Sequence, residues 1–158
     1  MRVIGIDCGS RVTGYGVIDS DGHRHTLVVC GAIVPPRGGD LATRLQAIHT
    51  GISALLVQYQ PQCAAVEDIF FAENVRSAIK LGHARGVVLQ ALAAGGVAIA
   101  EYTPLAIKSA LTGYGRAEKE QVAQMVKTLL RLDAPPKPLD ATDALAAAIC
   151  HLHTQSPG

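Results

Sequence analysis

The sequence predicts an α/β fold: a mixed sheet of three antiparallel strands followed by parallel ones, with helices on both faces. Three observations carry this reading. Three short β-rich runs, separated by Gly-Ser and Asp-Gly turns, open the chain between residues 2 and 34. Helical patterns and short strands then alternate from residue 41 onward. No internal repeat or linker-like tract interrupts the 158 residues, a length suited to a single domain, 1–158, with a sizeable core.

The elements follow in order. Val3, Ile4 and Ile6 make a first strand that runs into an acid, Asp7. A turn at Gly9-Ser10 leads to a second strand over residues 13–18. Gly5, Gly9, Gly14 and Gly16 surround Asp7. Glycine weakens a strand, so this cluster implies that something comes close to the backbone, such as a ligand or a nucleic-acid strand. A glycine-rich hairpin with a solvated Asp7 is the simpler alternative. Residues 25–34 make the third strand, closed by Pro35-Pro36.

Asp40 is suited to cap a helix whose Leu41, Leu45, Ile48, Ile52, Leu55 and Leu56 recur at intervals of three and four until Pro61. Residues 63–66 read as a short buried strand that runs into a second acid, Glu67. Asn74 caps a helix reaching residue 94, with Ala78, Gly82 and Gly86 in one stripe. Glycine inside a helix costs about 1 kcal/mol against alanine, so the stripe calls for a close neighbour. That neighbour is either the chain's own sheet or the same helix of a second chain. A strand over residues 97–102 follows. Thr103-Pro104 then opens a helix that Gly113 and Gly115 end. Another helix covers residues 117–131, Pro135, Pro136 and Pro138 stiffen a loop, and an alanine-rich helix runs over residues 140–153.

Composition narrows the function classes. Charged residues are 17% and the net charge is +1, so no bulk field draws nucleic acid and any such binding needs a local patch. The four cysteines show no CxxC spacing, and the six histidines form no zinc signature. The cysteines read as reduced, mostly buried thiols. With no signal-like start and no apolar run long enough to span a bilayer, the expectation is a soluble, cytoplasmic protein.

The acids carry the chemistry. Asp7 and Glu67 stand at the carboxyl ends of strands, where sheets of this kind build their sites. Asp140 and Asp143 are three apart and share a helix face. Clustered carboxylates repel one another, and a divalent cation relieves that repulsion. An all-oxygen set favours magnesium or manganese over zinc. Two such ions, about 3.5–4 Å apart, can activate a water and stabilise the leaving oxygen of a phosphodiester. For Asp140 a helix N-cap competes with the metal role, with Asp143 answering the helix dipole.

GIDCGSRVTGYGVI, VEDIFFAEN, SAIKLGHARGV, GRAEKEQVAQMV and DATDALAAAICH resemble, in order and spacing, the RuvC family of Holliday-junction resolvases. The resemblance runs from about Arg2 to His153, and the ordered set Asp7, Glu67, Asp140, Asp143 is its specific part. It implies a ribonuclease-H-like fold and a homodimer that binds two magnesium or manganese ions. It further implies paired nicks in four-way junction DNA, made after a RuvAB-type branch-migration motor. On this resemblance the four acids are the metal ligands, with Asp7 between the ions. Two departures stand out. Cys8 sits where the family usually has proline, which loosens the expected geometry beside Asp7. Glu73 adds a negative charge in a loop the family uses on DNA, and no basic tail follows His153.

Lys108 and Lys119 match family positions near the cleaved strand, where a lysine holds phosphate or steadies developing charge. Solvated helix lysines are the alternative. Ser10 and Arg11, on the turn beside Asp7, are placed to touch phosphate, and Arg76, Lys80 and Arg85 suggest a backbone-contacting face. The family places a base-stacking aromatic at Phe70, whereas Phe71 is suited to core filling. Rival readings are an actin-like ATP-binding domain, which shares the DxGxxxxG hairpin, a RuvC-like RNA-processing nuclease, and a non-catalytic junction-binding module.

Overall fold

The structure is a computed structural model that describes residues 1–69 and 74–155. Its strands are β1 (Arg2–Asp7), β2 (Thr13–Ser20), β3 (His25–Ile33), β4 (Cys63–Glu67) and β5 (Ala98–Tyr102). Its helices are α1 (Leu41–Tyr59), α2 (Val75–Ala94), α3 (Pro104–Thr112), α4 (Lys119–Leu129) and α5 (Leu139–Gln155). The five strands form one sheet in the order β3-β2-β1-β4-β5. β1, β2 and β3 pair antiparallel, while β4 pairs parallel with both β1 and β5. This is the mixed sheet the sequence predicts.

Strand alternation splits the core in two. Val3, Cys63 and Ala65 face α3, α4 and α5, whereas Ile4, Ile6, Ala64 and Val66 face α1 and α2. Successive strand side chains point to opposite faces. Asp7 and Glu67 therefore project on the α5 side, continuing the rows of Gly5 and Ala65.

The strand glycines have a different partner from the one expected. No ligand is needed to explain them, because α5 of the same chain lies directly on β1 and β2. A side chain at Gly5 would overlap the backbone carbonyl of Ala144, and one at Gly14 would overlap the backbone of Asp140. Bare backbone at both points lets α5 lie almost in contact with the sheet. Its alanines, from Ala141 to Ala148, are fully buried there.

Helix ends follow the local sequence. Asp40, Asn74 and Thr103 each accept from a first-turn amide of α1, α2 and α3. α4 is shorter than its apolar pattern suggests, because Glu118 and Gln121 close a reciprocal capping box at its start. α5 begins at Leu139, so Asp140 lies inside the first turn rather than at the cap. The small-residue stripe of α2 is exposed along a groove beside α1. A Cβ added at Gly82 or Gly86 would meet nothing within 4 Å among the described residues. Cys63 and Cys150 are buried, and Cys8 and Cys30 are half-buried free thiols.

Candidate active site

Three elements bring the site together. Ile6 pairs with Val66 across the parallel β1–β4 ladder, so Asp7 and Glu67 leave the sheet side by side. The two carboxyl groups are close enough for the charge of Glu67 to act directly on Asp7. α5, seated on Gly5 and Gly14, brings Asp143 to the same point. Asp7, Glu67 and Asp143 line a cavity of about 320 Å³, and Lys108 of α3 and Lys119 of α4 line it with them. Ile107, Val122 and Ala146 form its apolar floor. Asp140 is half-buried one turn before Asp143 and does not line the cavity, although its charge reaches both Asp7 and Asp143.

The electrostatics are those of crowded acids. Burial pushes the Asp7 carboxyl up to about 8, and the charges of Glu67, Asp143 and Asp140 push the same way. Burial also raises Glu67, with Asp143 adding to it, while its interaction with Asp7 and the ammonium groups of Lys119 and Lys108 pull it down. Asp143 is raised by burial and by Asp140, against Lys119 and Lys108. Without a cation, then, the cluster retains a proton near neutral pH. Among the described residues no three ligand side chains close into a preformed single-ion cage. Asp7, Glu67 and Asp143 instead line one cavity from three separate elements. Their donor set, carboxylate oxygens with no thiol or imidazole lining the cavity, fits hard divalent cations.

The other candidates divide. Ser10 and Arg11 are exposed on the β1–β2 turn just past Asp7. Arg44 of α1 braces that turn by donating to the Ser10 carbonyl at 3.1 Å. Arg76 and Lys80 are exposed on the first turns of α2. Arg85 does not share their face, which corrects its assignment to a DNA-contacting surface. Its side chain is 10% exposed and pairs with Asp68 at 3.4 Å and with Glu101 at 3.0 Å. The signal was in the spacing: Arg85 lies three before Val88 and seven before Leu92, on the buried stripe of α2. Phe70, Phe71 and Glu73 lie outside the described residues.

The RuvC family model, described as crossover junction endodeoxyribonuclease RuvC, matches residues 3–151. The chain belongs to the RuvC family. A RuvC of Koribacter versatilis is 48% identical over 99% of this chain and 95% of its own length. Another, of Halorhodospira halophila, is 50% identical over 98% of this chain and 92% of its own. The structure of Thermus thermophilus RuvC in complex with Holliday junction substrate superposes with a TM-score of 0.93. It is 35% identical and covers 98% of this chain and 94% of that one. As a RuvC protein the chain is a crossover junction endodeoxyribonuclease that resolves Holliday junctions. The actin-like and RNA-processing readings find no support in these matches. Among the described residues no helix is long and apolar enough to cross a membrane.

Proposed function

We propose that this chain, acting as one nuclease domain over residues 1–158, nicks opposite strands of a four-way DNA junction as a homodimer. Each site would use two divalent ions, magnesium or manganese, held by Asp7, Glu67, Asp140 and Asp143. The single observation that supports this most is the convergence of Asp7, Glu67 and Asp143, from three separate elements, on a cavity flanked by two lysines.

When bound, divalent ions supply Lewis-acid stabilisation of the phosphoryl oxygens and an activated water. Asp7 and Glu67, side by side at the strand ends, would bind them after giving up the proton they share. Asp143 would close the site from α5, and Asp140 would add charge from the turn before. Lys108 and Lys119 oppose the charge of Glu67 and Asp143. They would also hold the phosphate and steady the oxyanion as negative charge grows. Ile107 and Val122 line the cavity with apolar surface.

Positioning of the DNA is a matter of phosphate contacts. Ser10 and Arg11 flank the acids on one side, and Arg76 and Lys80 present exposed positive charge on α2. Phe70, which follows the Glu67 strand in sequence, would stack on an unpaired base. The open stripe of Gly82 and Gly86 lies in a groove of about 480 Å³ between α1 and α2, and it would receive the same helix of a second chain. A two-fold interface is self-complementary, and a four-way junction has approximate two-fold symmetry, so two sites would meet two strands. Such an enzyme would serve DNA recombination and repair in the cytoplasm, after a RuvAB-type branch-migration complex.

Cleavage of a labelled four-way junction, with and without magnesium and beside a linear duplex of the same sequence, tests this. Paired, magnesium-dependent nicks confined to the junction are expected. Metal-independent cleavage, or equal cleavage of the duplex, would overturn it.

A further inference from the structure

Arg85 is a cation buried in the middle of α2 and aimed at the base of the active site. Its Nη1 donates to the backbone carbonyl of Glu67 at 2.9 Å. Its Nη2 lies 3.0 Å from Glu101 Oε1 on β5 and 3.4 Å from Asp68 Oδ1. The charge of the same guanidinium also acts on the thiol of Cys8, one residue past Asp7. One planar fork thus holds the chain at Glu67 and directly after it.

The geometry explains why an arginine is needed. β1 pairing with β4 stops at Ile6 and Val66. The Glu67 carbonyl therefore needs a donor from elsewhere. A buried carbonyl without a donor is costly, and Arg85 supplies one. On the β5 side the amide of Asp68 donates to the Tyr102 carbonyl at 2.7 Å. The peptide unit joining Glu67 to Asp68 is thereby held from both sides. A buried charge is tolerated only when paired, and Glu101 and Asp68 supply the pairing.

We infer that Arg85 is a positioning residue for the metal-binding acid Glu67, fixing the backbone from which its carboxylate projects. The inference rests on the assignment of Glu67 to the metal site. It also makes α2 a mechanical link, because the helix that carries Arg76, Lys80 and the open glycine stripe is tied through Arg85 to the chain end bearing Glu67. Lysine cannot replace the fork, since one ammonium cannot serve a carbonyl and two carboxylates in a fixed plane.

The test compares Arg85→Lys and Arg85→Gln with wild type in three measurements. These are Mn²⁺ binding to the DNA-free protein by calorimetry, single-turnover junction cleavage against metal concentration, and metal-free junction binding. Partners that orient a metal ligand typically contribute about 10–100-fold in metal affinity or activity. Mn²⁺ affinity should fall by that order in both variants, cleavage should recover at high metal, and junction binding should stay within about twofold. Arg85→Lys keeps the charge, so a folded Arg85→Lys with wild-type Mn²⁺ affinity overturns the inference. Should both variants fail to fold, Glu101→Gln removes one partner from the exposed side, and unchanged Mn²⁺ affinity there overturns it equally. Glu67→Gln run in parallel separates the two assignments. If Glu67→Gln also binds Mn²⁺ as wild type does, the metal assignment of Glu67 fails and the positioning role falls with it. If Glu67→Gln loses Mn²⁺ while Arg85→Lys keeps it, only the positioning role is overturned.

Discussion

Asp7 and Glu67 end two adjacent parallel strands, and the charge of Glu67 bears directly on the Asp7 carboxyl. Two acids this close cannot both ionise cheaply, so one proton stays between them until a cation replaces it. This pair sets the pH behaviour of the metal-free protein and the metal dependence of the loaded one.

Loss of a carboxylate should separate chemistry from binding. Glu67→Gln and Asp143→Asn should each slow junction cleavage by about 100-fold or more, equivalent to about 3 kcal/mol in the barrier. Metal-free junction affinity should change little, because phosphate contacts carry it. Single-turnover cleavage beside a gel-shift titration measures both. Near wild-type cleavage by Asp143→Asn at saturating metal would remove that residue from the site.

The folded protein holds the Asp7 proton up to about 8, whereas an unfolded chain releases it in the ordinary carboxylate range. The folded state therefore binds more protons between those limits, and this group's contribution to stability falls as pH rises from about 4 to about 8. Asp7→Asn cannot ionise, so its metal-free melting temperature should exceed that of wild type at pH 8, by about 2–4 °C per kcal/mol of repulsion relieved. The difference should shrink toward pH 4. Thermal melts in chelator across that range check the sign, and an equal gap at both ends would contradict it.

Lys108 and Lys119 pull the carboxyl groups of Glu67 and Asp143 downward. Replacing either with alanine should let those acids hold protons to higher pH and move the acidic limb of cleavage upward, by up to about one unit. A pH–rate profile at subsaturating metal reads this. A uniform drop in rate with an unmoved limb would instead make the lysine a phosphate contact alone.

Gly82 offers a clean probe of the proposed dimer. A Cβ added there meets nothing within 4 Å among the described residues and Gly82 is exposed, so Gly82→Leu should leave the monomer fold intact. Helix propensity should even favour it, by about 0.5–1 kcal/mol. Between two chains the same leucine would wedge the helices apart at about 1–3 kcal/mol. Sedimentation equilibrium should show a weakened dimer, and junction assays should show single rather than paired nicks. A wild-type chain that is monomeric under those conditions and still nicks in pairs would refute the arrangement.

Much of the fold was legible in the chain because its signals are local. Asp40, Asn74 and Thr103 cap the helices their neighbours predict, and the three opening strands are marked by alternation and turns. Asp7 and Glu67 stand out at strand ends for the same reason. Distances between elements carry no such local mark. Gly5 and Gly14 advertise a close approach, but only the packed structure identifies α5 as what approaches. The stripe of Gly82 and Gly86 looks like a packing surface, yet in the fold it faces outward. Arg85, surrounded in sequence by Gly, Ala and Val, reads as surface charge until β4 and β5 bring Glu67, Asp68 and Glu101 to it. Sequence by itself determined which residues form each element and which acids end the strands, since propensity, capping and alternation act over a few neighbours. Tertiary structure alone decided which acids share a cavity and which cation lies beneath them. Those depend on contacts between residues far apart in the chain, and only burial of the core brings them together.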